Sequence, residues 1–134
     1  MNDSRDEKFD VKTSPVNWYV ARILLRFEFY DEDKSNLNRC CLAWENQILI
    51  KADNPNEAYK KAINQGKLEG SEMWTADEKQ KGKFHFEGLT GLVAIYEELE
   101  DGSEITWTKY ENRTVKKVKS WVLPKNKLEV FKDD

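Results

Sequence analysis

The 134-residue chain carries 22 basic and 25 acidic side chains, a formal net charge of −3, and 39% hydrophobic residues that include five Trp, five Tyr and six Phe. A chain of this length buries about two-thirds of the surface it exposes when unfolded, enough for one domain with its own core. The near-balance of charge excludes a whole-molecule field toward nucleic acid or anionic lipid, and no apolar run approaches the roughly 20 residues of a spanning helix.

Residues 1–16 mix Asp, Glu, Lys, Ser and Asn with few apolar side chains, a composition that cannot offset the entropy of ordering and predicts a mobile tail. The segment has no apolar stretch of the kind that directs export, so the expectation is a cytoplasmic protein whose single domain occupies 17–131. In "WYVARILLRFEFY" the alternation puts Tyr19, Ala21, Ile23, Leu25, Phe27 and Phe29 on one face. Trp18, Val20, Arg22, Leu24, Arg26 and Glu28 fall on the other, the pattern of an antiparallel strand buried on one side. After the loop "DEDKSNLN", Cys40, Leu42, Trp44, Ile48 and Ile50 supply the apolar face of a second strand. Matching the two faces pairs Phe27 with Leu42 and Leu25 with Trp44, buries Trp44, and gathers Arg22, Arg26 and Glu45 on the opposite side. Cys40 and Cys41 are neighbours pointing to opposite faces, without chelating spacing or a nearby His, and read as free thiols.

"ADNPNEAYKKAINQG" predicts a helix start: Asn54 as cap, Pro55 at the first position, and Glu57 at capping-box spacing. Ala58, Tyr59, Ala62 and Ile63 form its apolar stripe, and Gly66 is the expected stop. Gly82 marks a reversal before "KFHF", and Gly88 and Gly91 predict a bulge or bend in the strand that follows. Asp101-Gly102 predicts a hairpin between "LVAIYEEL" and "SEITWTKY" that sets Tyr96 opposite Trp107 and Ala94 opposite Lys109. "KLEVF" alternates like a short final strand. The expected fold is α+β: a bent antiparallel sheet of four to five strands with one short helix packed on it.

Trp18, Tyr19, Arg22, Trp44, Glu45, Glu57, Ala58, Ala62, Gly66, Gly88, Asp101, Gly102 and Glu104 together form an ordered pattern of spacing. In that pattern the chain resembles the bacterial family known as domain of unknown function 4288 over about residues 17–107. Asn46 stands where the family has a second acid, Thr106-Trp107 replaces its usual Tyr-Ser, and the extension over 111–134 has no counterpart in it. The resemblance implies a fold frame and brings no catalytic residue, metal or cofactor with it.

Four groupings bear chemistry. Arg22 and Arg26, with Glu45 beside them and Trp18 and Trp44 as walls, have the donor set to hold a carboxylate or phosphate. A cross-strand salt-bridge ladder accounts for the same residues without a ligand and is the favoured reading. His85 has a side chain suited to proton transfer, but it stands alone on a strand without a nucleophile motif. Glu97, Glu98, Glu100, Asp101 and Glu104 are acidic but lack the alternation of a calcium loop, and read as a solvated turn. "RTVKKVKSW" with Lys109, Lys125, Lys127, Trp107, Tyr110 and Trp121 has the composition of a nucleic-acid stacking surface, set against an acidic chain. The expected function is a non-catalytic binding or protein-interaction module whose partner is a second copy or another protein. Anion or small-ligand binding at Arg22 and Arg26, enzymatic or not, is the alternative, and nucleic-acid binding the third. The candidate binding residues are Trp18, Arg22, Arg26, Glu45 and Trp107, with no cofactor, metal or membrane.

Overall fold

Strand β1, Trp18–Phe29, forms because its alternating apolar residues have a helix to bury them. Tyr19, Ala21, Ile23, Leu25 and Phe27 on one face are all buried. The structure, a computed structural model, describes residues 12–70, 73–77 and 80–132. Strand β2 is Leu42–Lys51, helix α1 Pro55–Gly70, strand β3 Met73–Asp77, strand β4 Gln80–Ala94 and helix α2 Val115–Ser120. Among the described residues the sheet runs β2-β1-β4-β3 and every neighbouring pair is antiparallel. Its body is the three long strands, with the short β3 on the outer edge.

The β1–β2 register follows from matched apolar faces: Leu25 pairs with Trp44 and Phe27 with Leu42. Helix α1 begins as its sequence dictates. Asn54 Oδ1 accepts from the Glu57 amide at 2.8 Å, and Glu57 Oε1 accepts in return from the Asp53 amide at 2.9 Å, one residue before the cap. The helix lies over β4 and β1 and only its margin reaches β2. It does not stop at Gly66. Ala58, Ala62, Gly66 and Gly70, spaced by four, make a narrow seam that lets the backbone approach the sheet. A Cβ on Gly66 would lie 2.5 Å from Phe86 Cζ, so the glycine there serves packing and not termination. Tyr59, expected in the seam, is exposed, because the seam is only one residue wide.

Other expectations are corrected. Trp44 is 41% exposed, since α1 is too narrow to cover β2 to its outer end. Cys40 and Cys41 precede β2 and are both exposed free thiols. Gly82 lies inside β4, and residues 78–79, between β3 and β4, lie outside the described residues, as do residues 1–11 of the tail expected over 1–16. Ser14, assigned to that tail by composition, is buried: its Oγ donates to the Ile95 carbonyl at 2.5 Å and accepts from the Trp18 amide at 3.1 Å.

The hairpin expected at Asp101-Gly102 is absent, and with it the pairings of Tyr96 with Trp107 and Ala94 with Lys109: no strand follows Ala94 among the described residues. A local turn replaces it. Gly102 has φ 89°, the Ser103 amide donates to the Glu100 carbonyl, and Ser103 Oγ donates to the Glu98 carbonyl while accepting from the Glu100 amide. Ser103 thereby takes partners a ladder would use. "KLEVF" likewise forms 3-10 turns, Lys125–Lys127 and Glu129–Phe131. Neither segment adds a strand, so among the described residues the sheet is limited to β2-β1-β4-β3, three long strands and one short; the α+β antiparallel open sheet with one packed helix is what the chain forms.

Gly82 gives the sharpest packing test. A Cβ there would meet the Glu28 carbonyl oxygen and sit 2.7 Å from Phe27 Cζ, and Phe27 is fully buried. Gly82→Ala is expected to lower stability by about 1–3 kcal/mol through overpacking, read as a lower urea midpoint with unchanged slope. Asn54→Ala should cost about 1 kcal/mol through the lost cap.

Candidate functional site

The second face of the sheet carries the chemistry, and two irregularities in β4 shape it. Opposite β1 the register slips between Arg22 and Ile23 and again between Leu24 and Leu25, which leaves Thr90 and Glu87 as surplus residues in β4. Gly91 faces Arg22 and Gly88 faces Leu24. Gly88 has φ 146°, which a side chain would disfavour. Both surplus residues reach the open face. Glu87 Oε2 accepts from Arg26 Nε at 2.5 Å, and Thr90 Oγ1 donates to Glu45 Oε2 at 2.7 Å.

Arg26 also meets Glu28 Oε2 at 3.3 Å, and Arg39, from the loop between β1 and β2, reaches the same oxygen at 3.4 Å. Arg39 Nε pairs with Glu32, whose other oxygen accepts from the Phe29 amide at 2.6 Å. His85 Nε2 lies 3.2 Å from Glu28 Oε1. Glu28 is therefore the hub, held by Arg26, Arg39 and His85. Burial alone would raise its pKa, but the Arg26 hydrogen bond and the charges of His85 and Arg26 outweigh that and lower it. Arg39 does the same for Glu32 through its hydrogen bond, against the opposing effect of burial. Glu87 leads the groups that raise the pKa of Arg26, so the guanidinium is locked in its charged form.

Between loop and sheet lies a cleft of about 450 Å³ lined by Leu24, Leu37, Cys41, Arg26, Arg39 and Glu87. Its apolar part includes Leu37, 89% exposed. Its charged rim is internally paired, so an incoming anion would have to displace carboxylates already bound to the two arginines. Among the described residues no group of three or more His, Cys, Asp or Glu is arranged to hold a metal ion. Nor, among them, is any helix long and apolar enough to cross a membrane.

Of the candidate residues, Arg22, Arg26 and Glu45 share this face, but Glu45 takes Thr90 as partner and pairs with neither arginine. Arg22 extends over Gly91, its Cζ 3.3 Å from where a Cβ would be, without an ion pair among the described residues. Trp18, at the end of the same face, stacks under Lys51 Nζ at 5.7 Å. Trp107 is elsewhere: with Tyr19, Pro55, Leu92 and Tyr96 it lines an apolar recess of about 230 Å³ that includes none of the other four. Glu28, Glu32, Arg39 and Glu87 were not singled out in the sequence. Glu28 carried a signal, being two residues from Arg26 on one strand face; Arg39, in an irregular loop, carried none.

Fold and site define a small α+β domain with one helix on an antiparallel sheet and a self-paired charge cluster on the open side. The chain belongs to the family described as "Domain of unknown function (DUF4288)", whose model matches residues 18–107. No curated protein and no solved structure matches it.

Because Glu28 and Glu32 titrate below their ordinary 4.5 when folded, each contributes stability that is present above that pH and fades as pH falls through the lowered folded value. Glu28→Gln with Glu32→Gln should lower the urea midpoint at neutral pH and flatten its decline below about pH 4.5. An equally steep acid limb in the double variant would place the acid sensitivity in other carboxylates.

Proposed function

We propose that the protein is a cytoplasmic, non-catalytic interaction module that receives an apolar segment of a protein partner in the cleft between the β1–β2 loop and the open sheet face. One observation carries this reading: Leu37 and Cys41 are exposed, and Leu24 half-buried, inside a rim whose arginines and carboxylates already satisfy one another. A neutral, apolar occupant gains burial there at about 25 cal/mol per Å² without breaking an ion pair, whereas an anion must break one.

Anion binding keeps one observation in its favour, the Arg22 guanidinium lying over Gly91 without a carboxylate partner among the described residues. The two readings separate cleanly. With a photo-reactive residue at Leu37, the interaction module yields one defined cross-linked protein in cells, lost on Leu24→Asp. Inorganic phosphate then leaves the amide resonances of Arg22 and Gly91 unmoved. Saturable phosphate shifts abolished by Arg22→Ala, with no defined cross-link, would transfer the function to the arginine.

A further inference from the structure

Helix α1 ends at Gly70, and beyond it no other described element packs to any extent on the helix-side face of the sheet. Leu25, Trp44, Asn46, Glu69 and Phe84 line a recess there of about 190 Å³. Leu25 is buried, and the Trp44 and Phe84 rings meet edge to face with centroids 5.2 Å apart. Glu69 is the anomaly. Its Oε2 is buried and has no hydrogen-bond partner among the described residues. An unsatisfied buried acceptor is costly, and a carboxylate in the last turn of a helix also faces the negative end of the helix dipole. A cation entering the recess would balance the charge of the carboxylate and would find an aromatic wall beside it.

The chain has one segment of matching chemistry. The extension over 111–134 holds seven Lys or Arg against four acids, while the rest of the chain holds fifteen against twenty-one. Helix α2 is capped by Thr114 Oγ1, which accepts from the Lys117 amide at 3.1 Å, and Tyr110 packs on Trp121 at 4.7 Å, so the arm is ordered by its own contacts. It leaves Val115, Val118, Val122 and Leu123 exposed beside Lys116, Lys117 and Lys119, none of which is ion-paired among the described residues. Neither α2 nor the 3-10 turns pack on the sheet or on α1 to any substantial extent among the described residues.

We propose that the recess around Glu69 receives a lysine-bearing stretch of the C-terminal arm from a second copy of the chain, each copy lending its arm to the other. The acidic body and basic arm make the chain complementary to itself, and the pre-ordered arm has less entropy to lose on docking. The proposal concerns the face opposite the Leu37 cleft, so it goes beyond the interaction-module reading and stands or falls on different residues.

The test is the molar mass of the full-length chain in solution by light scattering. Wild type should show a two-chain species that weakens as salt is raised. Glu69→Lys should raise the dissociation constant at least about tenfold, as should joint replacement of Lys116, Lys117 and Lys119 by Glu. Glu69→Gln, which keeps size and removes charge, should weaken association in the same direction. Mixing Glu69→Lys with the arm variant should restore the two-chain species, because each reversed surface then meets its complement. Melting curves verify that every variant is folded. A wild-type chain that is monomeric at all concentrations overturns the proposal. So does a dimer indifferent to Glu69, or an arm protected from exchange within a monomer. Loss of the Leu37 cross-link leaves it untouched.

Discussion

The close approach of α1 to β4 governs the rest of the molecule. Ala58, Ala62, Gly66 and Gly70 bring the helix backbone down until Gly70 stands against the Phe86 amide and Gly66 against its ring. A helix seated so deeply buries Tyr19, Ala21, Ile50 and Ala94 with small side chains of its own. It also covers little breadth. Everything beyond the seam, including Trp44 and the outer half of β2, is left to find other cover or none.

The open side answers to a different constraint. Two surplus residues in β4 put Glu87 and Thr90 where a regular strand would have put neither. Together with Arg39, Glu87 converts a row of charges into a closed network around Glu28, in which Arg26 and Arg39 each meet two carboxylates, while Thr90 holds Glu45 apart from it. Such a network is partly screened from solvent, so it positions the loop and shapes the cleft more than it attracts ions from outside.

Much of this was legible from the residues. The β1–β2 register and the Asn54 cap follow from alternation and spacing, which are local properties. Gly88 and Gly91 announced an irregularity, but not which neighbours would be turned outward, because that depends on which ladder bonds are skipped. The misread Asp101-Gly102 hairpin had correct turn residues and incorrect arms: Ser103 offered the backbone a nearer set of partners. Trp44 was misplaced because periodicity tells which face a residue takes and says nothing of how wide a covering helix is. Arg39 reaches Glu28 from eleven residues away through a loop, a relation no repeat encodes.

The uneven flanks of β1 carry a mechanical implication. Toward β2 its pairing runs unbroken from Trp18 to Phe27, while toward β4 it is interrupted twice. One side is thus a continuous ladder and the other a twice-interrupted one, with both interruptions beside the cleft. A segment entering that cleft would meet the flank held by fewer ladder bonds, on the face turned away from the hydrophobic interior beneath the helix.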